Sequence, residues 1–226
     1  MPNTQILHVS DFHANDASFE WLVSAARNVD LVALTGDLLD LNEHRPMGDQ
    51  LERVLTLVLR VNTRIAICSG NHDSVAGAGP RLHQAAWLRE LSSSRVWIDL
   101  DCIDFAKFHI RCIPWQGALP MPRGSEIWLH HAPPSGFPSA FARGGVDFGD
   151  WALGEACRLG DGPRVVLGGH VHDPVKHWAM AGKTWSLNPG FAAGANTPSH
   201  YTLHLERGVA HNVNGATGET DLFRLW

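Results

Sequence analysis

Five short apolar runs in this chain end in side chains able to hold a cation. "ILHVSDFH" ends in Asp11 and His13, "LVALTGD" in Asp37, and "RIAICSGNH" in Asn71 and His72. "EIWLHH" ends in His130 and His131, and "RVVLGGHVH" in His170 and His172. Each has a bland reading by itself: an Asp after Gly is commonly a turn residue, and "GNHD" is commonly a polar loop. Five such endings on strand-like runs do not reduce to turns. Side chains two apart on an extended segment project to the same side, so His170 and His172 can meet one object. Oxygen and imidazole donors without thiolates suit divalent ions such as manganese, iron or zinc, with Asn as a neutral oxygen donor. Even seven of these nine groups are too many for one tetrahedral ion. They suit two ions about 3.5–4 Å apart sharing a carboxylate, the arrangement used for in-line displacement at phosphorus.

For these donors to meet, the runs must be strands of open sheets, where ligand sites lie off the carboxyl ends. A strand over residues 4–10 precedes Asp11, and a helix follows it, capped by Asn15 or Asp16, with Phe19, Leu22, Val23 and Ala26 at helical spacing. A second buried strand ends at Gly36 and Asp37. Residues 47–60 predict a helix whose inner face is Leu51, Val54, Leu55, Val58 and Leu59. A third strand ends before Asn71. The proline-led stretch 80–91 predicts a helix, and residues 95–115 an antiparallel pair or meander. Residues 135–149, rich in Gly, Pro and Phe, predict a long loop with a short helical turn. A helix over 150–159 leads into "RVVLGGHVH", and the last quarter reads as paired strands with glycine turns. With no repeats, low-complexity tracts or linkers, residues 1–226 are expected to form one mixed α/β domain.

Composition removes several classes. Apolar residues make up 44% and charged residues 18%, ordinary for a globular enzyme. The longest apolar runs are far too short to span a bilayer. No basic segment followed by an apolar stretch opens the sequence, so the expected location is the cytoplasm, with no membrane partner. A net charge of -5 without a Lys/Arg cluster disfavours duplex nucleic acid. The four cysteines lack C-x-x-C spacing and read as buried reduced thiols. Oligomeric state is not legible in these residues.

In order, "DFH", "GD", "GNHD", "HHAPP" and "GHVH" resemble the motifs of the calcineurin-like metallophosphoesterase superfamily, and a later "NPG" at Asn188 also matches. The resemblance implies an α/β four-layer sandwich of two mixed β-sheets flanked by helices. It implies two divalent metal ions (Mn, Fe, Zn or Ni, with Mn expected in vitro). Asp11, His13 and His172 would hold one ion, and Asn71, His170 and a histidine of "HHAPP" the other, with Asp37 bridging. The family's H-x-P-P pattern favours His131, and adjacent strand residues face opposite sides, so only one of His130 and His131 serves. His72 matches the family's catalytic histidine, which helps the leaving oxygen depart, and Asp40 the carboxylate that orients it. Asp73 is expected in a supporting role, and Gly36, Gly70 and Gly169 in tight turns. The implied reaction is in-line attack on phosphorus by a hydroxide bridging the ions.

Two departures narrow the substrate. Leu41 stands where protein Ser/Thr phosphatases of the superfamily carry arginine, and "GNHD" replaces "GNHE", which disfavours a protein substrate. The DNA-binding region usual in the superfamily's nucleases has no counterpart in the stretch after "GHVH". A small phosphodiester or phosphomonoester, such as a nucleotide, is the expected substrate. A nuclease on single-stranded DNA or RNA and a non-catalytic scaffold remain as alternatives, the second opposed by His72. Around the site, His44 and Arg45 either reach the phosphate or stay in solvent. Trp115, and Phe137 or Phe141, are candidate walls for a base, with core the preferred reading for Trp115, and His8 reads as core or site border. The terminal "TDLFRLW" is expected to dock on the domain or on a second subunit.

Overall fold

Alternation along the first three strands sorts their side chains onto two faces. The computed structural model describes residues 4–74, 85–122 and 126–226. In chain order, β1 (Gln5–Val9), α1 (Asp16–Ala25), β2 (Leu31–Thr35), α2 (Met47–Arg60) and β3 (Arg64–Cys68) come first. Then follow β4 (Val96–Trp97), β5 (Cys102–Phe105), β6 (Phe108–Ile113), β7 (Glu126–His130), α3 (Trp151–Leu159) and β8 (Val165–Leu167). The chain finishes with β9 (Trp178–Ala181), β10 (Thr184–Leu187), β11 (His200–His204), β12 (Val209–Val213) and β13 (Thr220–Arg224). One sheet has the order β13-β12-β11-β1-β2-β3-β4, the other β5-β6-β7-β8-β10-β9. Both are mixed. β1 to β4 run parallel in the first, and β6, β7, β8 and β10 in the second, with antiparallel strands at the margins.

Leu7, Val9, Val32, Leu34, Ile65 and Ile67 pack against Phe19, Leu22, Val54, Leu57 and Val58 of α1 and α2. Their neighbours in sequence, Ile6, Leu31, Ala33 and Ala66, meet Ile110, Ile127, Leu129, Val165 and Leu167 of the second sheet. On that sheet's outer face, Trp128 and Val166 pack against Leu153 and Cys157 of α3. The result is four layers, helices on sheet on sheet on helix, as expected.

The helices start and stop where their caps stand. Asn15 accepts from Ser18 N–H at the start of α1, and Asp150 from Leu153 N–H at the start of α3. Gly160, at φ 83°, closes α3. On α2 the buried stripe is Val54, Leu57 and Val58, while Leu59, expected inside, is exposed. It lies about 100° around the helix from Val58 and off the i, i+3, i+4 stripe.

Three expected elements differ in whole or in part. Part of the proposed 80–91 helix lies outside the described residues, and Ala86–Leu91 forms a 3-10 helix. Of the antiparallel pair or meander expected over residues 95–115, the pair is present as the β5–β6 hairpin of the second sheet, while β4 joins the first sheet beside β3. Residues 135–149 contain no helical turn, only tight turns and isolated bridges such as Phe141 to Asp147. The C-terminus docks on its own chain, with the Trp226 ring 5.3 Å from Phe108 and 4.5 Å from the Arg164 guanidinium. All four cysteines are free thiols, three buried and Cys102 exposed.

Candidate metal centre

Parallel pairing of β1 with β2 continues past their ends and sets the first donors. Asp11 N–H donates to Gly36 O at 3.1 Å, His13 N–H to Asp37 O at 2.9 Å, and Ala14 N–H to Leu38 O at 2.9 Å. Holding that register bends the chain into the left-handed region: φ is 57° at Asp11, 46° at His13 and 53° at Asp37. His170, after β8, has φ 66°. Such conformations cost non-glycine residues about 1–3 kcal/mol each and gather at functional sites.

The side chains converge in two groups. In the first, His13 Nε2 and His172 Nε2 are 3.0 Å apart, and Asp11 Oδ1 lies 3.9 and 3.5 Å from them. In the second, His131 Nε2 is 3.1 Å from Asn71 Oδ1 and 3.2 Å from Asp37 Oδ2, and His170 offers a nitrogen to the same cluster. Asp37 Oδ2 is also 3.9 Å from His13 Nε2, so this carboxylate stands between the groups. The backbone N–H of His170 donates to the Asp11 carboxylate at 3.1 Å, joining the two sheets. All seven residues expected as ligands therefore meet in one place.

Of the two adjacent histidines, only His131 faces this cluster. His130 turns the other way, with Nε2 3.0 Å from Asp150. His131 Nδ1–H donates to Thr35 O at 2.6 Å, which leaves Nε2 free to act as a donor atom toward a cation. The same carbonyl accepts from Ser10 Oγ–H. Thr35 Oγ1–H reaches Gly168 O at 3.0 Å, and His8 Nε2 lies 2.9 Å from Thr35 Oγ1 and 3.0 Å from Gly168 O. This buried polar seam links β1, β2 and the end of β8 directly behind the donors. The expectation placed His8 in the core or at the site border; it is fully buried between the sheets, and burial pushes its pKa down to about 3.

Three glycines hold the loops close. Gly36 has φ 87°, the left-handed turn expected of it. Gly70 and Gly169 also open the tight turns expected at their strand ends, with Asp73 N–H on Gly70 O and Val171 N–H on Gly169 O, but without positive φ, which is −108° at Gly70. What they provide is room. A Cβ on Gly70 would collide with the Asp37 carboxylate, and one on Gly169 with Ser10 Oγ and Asp11 Oδ2.

The electrostatics fit divalent cations. Burial opposes charge on Asp11 and Asp37, yet neighbouring imidazoles, His172 and His131 for Asp11 and His131 for Asp37, hold both carboxyls below their usual range. Burial likewise opposes charge on His131, but Asp37 and Asp11 lift its pKa to about 9. A hydrogen bond to Asp11 raises that of His172. Each group thus sets an ionised carboxylate beside an imidazole whose proton affinity it raises, a position where a cation can take the proton's place. Burial keeps His13 and His170 neutral, His170 at about 4.

His72 lines the cleft above these groups. Its Nδ1 accepts Leu41 N–H at 3.1 Å and lies 3.3 Å from Asp40 Oδ1. One nitrogen cannot accept the first and donate to the second together, so the neutral ring carries its proton on Nε2. Asp40 Oδ1 itself accepts from Asn42 N–H. Asp73 is structural in the expected way: its carboxylate accepts N–H groups of Leu38, Leu39 and Gly70 at 2.8–3.1 Å. Burial and the charge of Asp37 push its pKa up to about 7. Asn188 braces the 170–172 turn through Nδ2–H to Val171 O at 3.0 Å.

A cleft of about 420 Å³ opens over the donors, lined by Asp37, Asn71, His72, Phe148, His170 and His172 among others. Its aromatic border was only partly legible in the sequence. Trp115, for which core was the preferred reading, is half-buried with its ring 5.6 Å from His131 and 5.2 Å from His170. Phe191, just after "NPG", stands 5.2 Å from His13 and 4.8 Å from His172. Neither Phe137 nor Phe141 lines the cleft; Phe148 does. Arg45 pairs with Asp16 instead of reaching inward, and His44 is exposed.

No described helix is long and apolar enough to cross a membrane. Among curated proteins, none matches the chain in sequence. Solved structures do match. The purple acid phosphatase PPD1 of yellow lupin superposes with a TM-score of 0.61 at 13% identity, over 98% of this chain and 53% of that one. The NAD nucleotidase of Haemophilus influenzae gives 0.53 at 12% identity, over 99% and 49%. The phosphoesterase YfcE of E. coli gives 0.49 at 14% identity, over 99% and 100%. The calcineurin-like phosphoesterase family matches residues 4–174, the stretch that carries every donor described above. With the motifs in order, the fold shared and that match spanning most of its length, this chain belongs to the calcineurin-like phosphoesterase family.

Proposed function

We propose that this protein is a dinuclear-metal phosphoesterase acting on a small phosphodiester or phosphomonoester. The observation that carries the proposal is the meeting of two donor groups, each drawn from both sheets, with Asp37 between them. Asp11, His13 and His172 would hold one divalent ion, and Asn71, His131 and His170 the other, with Asp37 shared; manganese is the metal to try first. When bound, the ions supply Lewis acidity and lower the pKa of a water molecule.

The chain's own residues do the rest. Thr35 fixes the ring of His131 through its carbonyl, and the left-handed turns hold Asp11 and Asp37 at a set spacing. Leu41 N–H on His72 Nδ1 keeps the neutral ring's proton on Nε2; only after gaining a second proton would His72 pass the one on Nε2 to the departing ester oxygen and return to the neutral ring. Asp40, at 3.3 Å, stabilises the imidazolium if His72 gains a second proton.

The test is metal analysis of the purified protein followed by hydrolysis of bis-p-nitrophenyl phosphate with added manganese. Two metal equivalents and turnover that is lost in Asn71→Ala and His170→Ala are expected. Two equivalents with no phosphoester hydrolysed would replace this reading with a binding scaffold.

A further inference from the structure

Phe148 brings apolar surface to the edge of a centre made of charges. It is 47% exposed and lines the cleft, and its ring lies 6.2 Å from that of His170. A single exposed apolar side chain is ordinary. Here Val146 and Trp151, in the same stretch, are 54% and 70% exposed, and the stretch is held rigidly. The Asp147 carboxylate accepts from Ser135 Oγ–H at 2.9 Å and from the N–H groups of Gly136 and Gly149 at 2.8 Å. Phe148 N–H donates to Ala140 O at 3.0 Å. The backbone that carries the ring is therefore placed before any ligand arrives, which lowers the ordering cost of binding.

The cleft's charges add a second constraint. Among the described residues lining it there is no lysine or arginine, and Asp173 stands at its border, engaged by Arg143 at 2.9 Å. The reacting phosphate would find positive charge at the metal centre. The cation at the border, Arg143, is engaged by Asp173, so a substrate group there meets an ion pair and not a free charge.

We propose that Phe148 is a stacking platform for an uncharged planar group, an aryl ring or nucleobase, esterified to the reacting phosphate. The substrate class is thus an aromatic phosphoester. This rests on the phosphoesterase reading above.

Binding separates the two ideas without relying on turnover. Calorimetry on the manganese-loaded protein compares phenylphosphonate with methylphosphonate, which share the anionic group and differ in the ring. The expected result is about tenfold tighter binding of the phenyl compound, collapsing to within about twofold in Phe148→Ala and retained in Phe148→Trp. Equal affinities in the unmodified protein, a preference surviving Phe148→Ala, or binding of neither compound would overturn the proposal. The same preparations are assayed on bis-p-nitrophenyl phosphate. Turnover without a phenyl preference discards the role of Phe148 and keeps the reaction. A preference without any turnover discards the reaction, and with it the claim that the aromatic ligand is a substrate.

Discussion

The two donor groups of the centre are chemically alike and physically unlike. Around Asp37 and His131 both side chains are almost fully enclosed, backed by the Thr35 carbonyl and covered by Trp115. Around Asp11 and His13 the third partner, His172, has a side chain 46% exposed, with Phe191 beside it. An enclosed cation is screened less by water and salt than an exposed one. The enclosed group should hold its ion tightly, and the open group should exchange its ion with solvent. A dinuclear centre built this way need not load symmetrically.

The largest expected effect removes the difference altogether. Asp37→Asn takes away the carboxylate common to both groups, so metal analysis should find neither ion retained. Turnover should fall by at least about a thousandfold, the scale of losing a charge-stabilising group at phosphorus. Next, the groups are separated. After dialysis against a chelator, His172→Ala should keep one metal equivalent, whereas His131→Ala should keep none; the reverse pattern would invert the assignment of tight and open halves. Gly169→Ala drives a methyl group into Ser10 and Asp11, so thermal unfolding should show a loss of about 1–3 kcal/mol, typical of overpacking. Its metal loss should fall on the open half, where Asp11 belongs.

A smaller effect probes the floor beneath the enclosed half. His8 is kept neutral by burial, with its pKa lowered from 6.5 to about 3. The unfolded chain therefore binds a proton that the fold refuses. This contribution to stability is fully present above pH 6.5 and is lost as pH falls toward 3, at up to about 1.4 kcal/mol per pH unit. Melting temperatures between pH 4.5 and 7 should decline less steeply in His8→Gln, which can still bond to Thr35 and Gly168; an unchanged slope would show that His8 is not the group responsible. The smallest effect is at His130, one residue from His131 but facing Asp150. His130→Gln should cost about 1 kcal/mol of stability, one hydrogen bond, with metal content unchanged.

What was readable in the sequence follows from periodicity and from short-range spacing. The α2 bounds, the four-layer packing and the five strand ends all rest on patterns a few residues long, and the folded chain has them. Distance along the chain hid the rest. Nothing near Thr35 announces that its carbonyl will meet His131, 96 residues later. Gly70 and Gly169 read as turns because turns are the local use of glycine, while the constraint on them comes from carboxylates on other loops. Phe148 was passed over for Phe137 and Phe141, since which loop side chain faces the cleft depends on how Asp147 anchors the loop. For His130 and His131, strand alternation showed that only one could serve and the H-x-P-P pattern favoured His131; what its ring meets, Thr35, Asn71 and Asp37, came only with the other sheet.

The polar seam between the sheets has a mechanical consequence. Its bonds are 2.6 to 3.0 Å long and run across the interface that carries both donor groups. The spacing of the two donor groups is thereby tied to the register of one sheet against the other. A distant change in the interlayer packing, at Leu129 or Ala66, would detune the centre's choice of ion before it melted the protein.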